Sequence, residues 1–275
     1  MKPFTFYLLP FTAAMVLAVA STIAAAPLVT FPEDRSFLPK SWTEAPIHAS
    51  IEPLDAKLRP AALGILDAAV AKYPEKLRQR YLGGIAVVGS LRFYDVGYGG
   101  TYMANSRRIV LVYRESFDAR GFEQRFHHEF SSILLKQNET LFESDRWTAA
   151  NDPAFAYRAG GIVEEQDGDR SEATRVLAAE QEKTGGSGSS LLQVDTELMK
   201  LGFLTPYNRV SIEQYLNETA AHLFTNPDLW DYCRRYPRID QKVHVLVDFY
   251  RRLDPQMDRL FFRRLTLGPT STPEP

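Results

Sequence analysis

Between Asp118 and Lys136 the chain sets Phe122, Phe126, Phe130, Ile133 and Leu134 at i, i+4, i+8, i+11 and i+12. At about 100° per residue, these side chains share one face of an α-helix. Three phenylalanines in that register need an apolar layer to cover them, so the helix belongs against a core. Asp118 suits its N-cap. The opposite face carries His128 and Ser132, about 40° apart, with Glu129 at its border. A helix apolar on one side and chemically equipped on the other fits the floor of a cleft.

The polar residues lie within Phe126-His127-His128-Glu129-Phe130-Ser131-Ser132. His128-Glu129 begins as His-Glu-x-x-His, which sets two zinc ligands one turn apart and a general-base glutamate beside the first. Here Ser132 holds the second ligand position. A serine hydroxyl is a much poorer zinc ligand than an imidazole. His127 is about 100° from His128 and would reach a shared ion only through a distorted helix.

The first residues after Met1-Lys2 are apolar up to Ala20, and Ala24-Ala25-Ala26 precede Pro27. This order predicts a secretory signal peptide over residues 1–25, with an exported, secreted or periplasmic mature chain and no stable membrane insertion after cleavage. A retained anchor is the competing reading. About 250 mature residues suffice for a substantial core. With 32 basic and 34 acidic residues, nothing argues for nucleic acid as a partner. Cys233 is the only cysteine, which excludes an intrachain disulfide and suggests a buried thiol.

Residues 26–53 are proline-rich and read as an extended arm. The predicted domain is 54–267, α+β and mainly helical, with a small mixed or antiparallel sheet. Leu54 to Tyr73 reads as a helix stopped by Pro74. Ile85–Val88, Leu91–Tyr94 and Ile109–Tyr113 read as short strands, with a bulged edge at Gly97–Gly100. Residues 137–165 are loop-rich, and Lys183–Ser190 reads as an inserted flexible loop. Leu191–Leu201 is a candidate short helix. Ser211 and Gln214 form a capping box opening a helix to about Phe224. Pro227–Tyr236 and Asp240–Leu253 supply two more, and 268–275 reads as a disordered tail.

A third ligand would come from a later helix. Asn217-Glu218, with His222 one turn on, resembles the second zinc motif of the gluzincin metallopeptidases. The order of sheet, motif helix, insertion and glutamate helix is similar too. Gly202-Phe203-Leu204-Thr205-Pro206-Tyr207, Ser211, Glu213, Asn217-Glu218, Tyr236-Pro237-Arg238-Ile239, Lys242 and Phe249-Tyr250 resemble a zinc-binding metallopeptidase family of exported bacterial proteins. The Gly89–Thr101 strand region is similar as well, so the likeness runs over roughly 60–255.

The resemblance implies a zincin-like domain with zinc on His128 and Glu218, and Glu129 polarising the attacking water. His222, on the same helix face as Glu218, is a candidate to replace the missing histidine. A zinc ion there would act as a Lewis acid on a peptide carbonyl. Gly99-Gly100-Thr101 would hold an extended peptide or protein substrate by strand addition. Tyr207 and Tyr215 are candidate oxyanion donors. The alternatives are an inactive protein of the same fold that binds a peptide or protein partner, and a helical scaffold whose His-Glu pair is incidental. His48 reads as a surface residue and His244 as a packing histidine.

Overall fold

The computed structural model describes residues 28–158, 161–162, 171–184 and 192–268. The predicted signal peptide, most of the Lys183–Ser190 loop and nearly all of the predicted tail lie outside them. Among the described residues, no helix is long and apolar enough to cross a membrane.

The fold is α+β, with one small mixed sheet and helices packed on it. Its spine is β3 (Gly84–Phe93), a single strand where the sequence suggested two. The arm contributes β1 (Val29–Thr30), parallel to Ile85–Ala86, and β2 (Ser50–Pro53), antiparallel to the second half of β3. The short β4 (Val96–Gly97) folds back on Arg92–Phe93. β6 (Arg108–Val112) runs parallel to β3, and β5 (Gly100–Met103) pairs antiparallel with β6. This leaves β5 as the outer strand on that side. The β2–β3 register slips at Glu52/Pro53, opposite Gly89. A Cβ at Gly89 would lie 2.7 Å from Pro53 O, so only glycine lets the strands close there.

Alternation along the strands gives the sheet two apolar faces. Ile85, Val87, Ile109 and Leu111 face the helical core. Ala86, Val88, Val110 and Val112 face the other way, where the arm covers them with Leu38, Trp42, Ile47 and Ala49. The sequence reading of the arm as merely extended therefore falls short. Besides two strands it holds a helical turn, α1 (Lys40–Thr43), and it closes a second core. Its pattern is aperiodic because those elements are each too short to show one.

The helices follow the caps. α2 (Arg59–Ala71) and α3 (Glu75–Tyr81) flank Pro74. α4 (Ala119–Gln137) starts where Asp118 accepts a bond from Gly121 N. Its predicted stripe, Phe122 through Leu134, is wholly buried. α5 (Ser144–Ala149) and α6 (Glu172–Thr184) come from a stretch with no legible period. α7 is only Thr196–Lys200, because Asp195 caps it late. α8 (Ile212–Thr225) opens at Ser211 as expected, its hydroxyl accepting from Gln214 N. α9 (Leu229–Arg235), α10 (Pro237–Leu253) and the unanticipated α11 (Arg259–Leu267) complete the helical layer.

Lys242 of α10 is wholly buried. Its ammonium donates to Asn151 Oδ1 and lies 4.0 Å from the Tyr215 ring centroid and 4.5 Å from that of Phe203. Burial, reinforced by Arg238, holds its pKa well below the usual lysine range. The unfolded chain therefore binds the proton more tightly, and stability rises with pH between the two values. Lys242→Met is expected to stabilise by about 1 kcal/mol at pH 7 and flatten that alkaline rise. Lys242→Ala, which leaves a void, should cost about 2 kcal/mol. Urea unfolding at pH 7 and pH 10 measures both.

Candidate functional site

α4 and α8 cross beneath the outer strand β5, and a cleft opens between them. His128, Glu129 and Ser132 of α4 form its floor, with Glu213 and Gln214 from the start of α8. Gly100, Thr101 and Tyr102 of β5 form one wall. Trp42, Phe93, Tyr94 and Tyr98 form an aromatic wall, and Ser171 and Thr174 close the α6 side. The cavity encloses about 130 Å³, space for several waters.

Gly100 positions Glu129. A Cβ at Gly100 would lie 3.0 Å from Glu129 Oε1 and 3.1 Å from Val110 O. The bare backbone thus lets the carboxylate rest against the strand. Burial, opposed by His128 and aided by Glu213, raises the Glu129 pKa to about 7. That value suits a group that takes and returns protons near neutral pH.

His128 is engaged from behind. Its Nδ1 lies 3.8 Å from Glu218 Oε2, and His222 Nε2 lies 3.4 Å from Glu218 Oε1. Burial would raise the Glu218 pKa, but the two imidazoles outweigh it and hold the carboxyl at about 2. Burial also works against a charged His128, yet Glu218, Glu129 and Glu213 together hold its pKa above the ordinary value. His222 Nδ1 in turn pairs with Asn226 Nδ2 at 3.0 Å. With Nδ1 of His128 turned to Glu218, Nε2 is the nitrogen left for the cleft. Glu218 and His222 are not among the cleft-lining residues; they orient His128.

Two stripes of α8 explain the division. Glu213 and Asn217 lie one turn apart, as do Glu218 and His222. Asn217 Nδ2 donates to Ser132 Oγ at 2.6 Å, so its stripe faces the Ser132 side of α4. Glu213, one turn earlier, is the carboxylate that this stripe delivers to the cleft. It is 2% exposed, and Tyr102 OH donates to its Oε1 at 2.8 Å. The motif reading singled out Glu218 and passed over Glu213. The i, i+4 pairing with Asn217 is the signal that could have found it.

The three expected zinc ligands, His128, Glu218 and His222, meet as two histidine–carboxylate pairs that share Glu218. Among the described residues, no three His, Cys, Asp or Glu side chains are arranged to hold a metal ion. Ser132 is tied to Asn217. His127, the other candidate, points into the opposite side of α4. There it meets Tyr73 OH at 3.0 Å and Glu123 Oε1 at 3.1 Å, and stacks on Phe224 at 4.4 Å. Desolvation there lowers its pKa to about 4. At the position of the second motif histidine the donor set offers only a serine hydroxyl, a poor zinc ligand.

Of the remaining candidates, Tyr207 lines the cleft. Tyr215 does not: it is buried in the core and donates to Gly202 O at 2.6 Å. His48 is exposed as expected. His244 is half-exposed in a surface network with Asp240 and Arg259, not packed in the core. Cys233 is buried.

The sequence matches no protein-family model and no curated protein. Among solved structures it is similar to a Bacteroides caccae protein described as a proposed zinc-binding metallo-peptidase. The two are 19% identical, the alignment covers 78% of this chain and 77% of that one, and the TM-score is 0.44.

Proposed function

We propose that the mature chain is an exported protein that binds an extended peptide segment in a cleft of metallopeptidase type, without holding the metal such a cleft would use. One observation carries this reading: the serine at the second ligand position is held by Asn217, beneath a strand edge open to a peptide. Val112 N donates to Gly99 O, so Gly100 faces Leu111 at a non-hydrogen-bonded position. In that register the N–H and C=O of Gly100 point away from β6, toward the outer edge. A peptide laid along β5 would take up those groups and send alternate side chains down toward Glu129 and Glu213.

A second reading, peptide hydrolysis, has one observation in its favour. Glu129, raised to about 7 at the floor of the cleft, is a competent general base for a water beside a bound peptide. Zinc-dependent hydrolysis would need His128, Glu218 and His222, which here pair with one another, to turn onto a shared ion.

The two readings separate in one experiment. A mixed peptide library is incubated with the mature protein, with added zinc and with chelator, and analysed by mass spectrometry. Peptide binding is followed in parallel by fluorescence anisotropy. We expect peptides to bind, to remain intact under both conditions, and to bind the Glu129→Gln variant within about twofold of the parent. Cleavage that zinc restores and Glu129→Gln abolishes would overturn the binding-only reading in favour of hydrolysis.

A further inference from the structure

We propose that one end of the sheet, marked by Arg80, Arg107 and Arg108, docks the protein on an anionic phospholipid surface. None of these residues lines the cleft.

The strand directions bring them together. β1, β3 and β6 run parallel, with Val29 level with Ile85 and Gly84 level with Arg108. All three strands therefore start at the same end, and α3 leads into it from Arg80. Ile85 N donates to Leu28 O, Gly83 N donates to Arg107 O, and the Arg107 guanidinium donates to Arg80 O. A Cβ at Gly84 would lie 3.6 Å from Leu28 O and 3.8 Å from Arg108 Cγ. The three arginines are exposed, and so is Leu28. Arginines elsewhere on the surface, such as Arg146, Arg251 and Arg252, pair with carboxylates. Among the described residues, Arg80, Arg107 and Arg108 form no ion pair. Residues 76–94 and 96–114 contain no aspartate or glutamate, so no acid comes from these segments. Arg107 also holds a φ of 54°, a left-handed turn position that glycine or asparagine takes up more easily.

The chain that enters here points to lipid. Phe4–Ala26 carry no charged residue, and they join the fold through Leu28. During export this end of the sheet is the one nearest the bilayer. Cleavage before Ala26 would then leave an α-amino group two residues from Leu28, a further positive charge at the same place. Anionic headgroups attract such a cluster, and each basic side chain near the surface strengthens binding about fivefold. Phe93, which lines the cleft, stands at the other end of β3, roughly 30 Å along the strand. Docked this way, the protein holds its cleft away from the bilayer and open to solutes.

Co-sedimentation of the mature full chain with vesicles tests this. Vesicles of about one part phosphatidylglycerol to two parts phosphatidylcholine are compared with pure phosphatidylcholine. We expect pelleting with the anionic vesicles alone, lost as salt is raised. The combined Arg80→Glu, Arg107→Glu and Arg108→Glu variant should bind about a hundredfold more weakly. A control with Lys40→Glu, Arg251→Glu and Arg264→Glu has the same net charge and should stay within about threefold of the parent. If the first variant fails to fold by circular dichroism, Arg80→Gln and Arg108→Gln decide, each with about a fivefold loss. Equal binding to neutral vesicles, no pelleting with either kind, or an equal loss in the control overturns the assignment. Retention on heparin beads without pelleting on vesicles overturns it too, and gives the arginines to an acidic macromolecule instead.

Discussion

Ser132→His should convert the cleft into a zinc site, raising affinity by about two orders of magnitude over the parent. Position 132 is one turn from His128 on the same face of α4 and lines the cavity opposite Glu213. A histidine there would join His128 and Glu213 in a set of two imidazoles and one carboxylate, the donor set of many catalytic zinc sites. Structural zinc sites are worth roughly 10–16 kcal/mol over four ligands, so one restored ligand contributes about 3 kcal/mol. The substitution also removes the acceptor of Asn217 Nδ2. Asn217 Oδ1 already has no partner among the described residues. The zinc-free variant should therefore lose about 1–2 kcal/mol of stability and regain it when zinc binds. Calorimetric titration with zinc, and melting with and without chelator, measure both effects. Adding Glu213→Ala to the variant should abolish the gain, whereas adding His127→Gln should leave it intact. If Glu218→Ala abolishes it and Glu213→Ala does not, the α8 ligand is the one the sequence motif named.

The second large effect concerns pH. Glu129→Gln should stabilise the protein by about 2 kcal/mol at pH 8, a gain that fades to nothing toward pH 4.5. The folded carboxyl titrates at about 7 and the unfolded one near 4.5. Between these values the folded state binds more protons, so stability falls as pH rises and the full penalty is present above 7. The shift sets an upper limit of roughly 3 kcal/mol, reduced because the carboxylate opens onto the cleft. His127 works the other way. Its folded value of about 4 lies below the unfolded 6.5, so the unfolded chain takes the proton first. Stability is then lost as pH falls from 6.5 to 4, by up to about 3 kcal/mol. In the parent the two slopes overlap between 6.5 and 4.5 with opposite signs and nearly cancel. Removing the Glu129 carboxyl leaves the His127 slope exposed. Below 4.5, Glu218 adds a further loss as it is protonated toward its value of about 2. Urea unfolding at pH 8, 6 and 4.5 should give parent and variant stabilities that converge toward acid. Parallel curves would mean the Glu129 carboxyl is not raised.

The long helices were readable from the sequence because cap and stripe agreed. Asp118 and the phenylalanine register located α4, and Ser211 with Gln214 located the start of α8. Half of the site was readable for the same reason: His128 and Glu129 are presented to the cleft by the face opposite the stripe. The remainder depends on the rotation of one helix against another, which no single period encodes. Whether α8 offers Glu213 or Glu218 to the cleft turns on the Asn217–Ser132 contact, 85 residues apart in the chain. His127 looked like a spare ligand because it adjoins His128. Its place in the Tyr73–Phe224 stack became visible only once α2 was known to pack behind α4. The aromatic wall escaped notice because Trp42 comes from an arm with no pattern of its own.

That arm also bears on how the fold is reached. β1 joins β3 across 55 residues, in parallel register, and Leu38 and Ala49 seal the sheet face that the helices leave uncovered. Contacts so distant in sequence form slowly. Until they form, Val88, Val110 and Val112 present a sticky β surface on which two half-finished copies could associate. The arm is thus a late-closing seam, and a chain trimmed back to residue 54 would carry that surface permanently, losing the Trp42 wall of the cleft and gaining a tendency to aggregate.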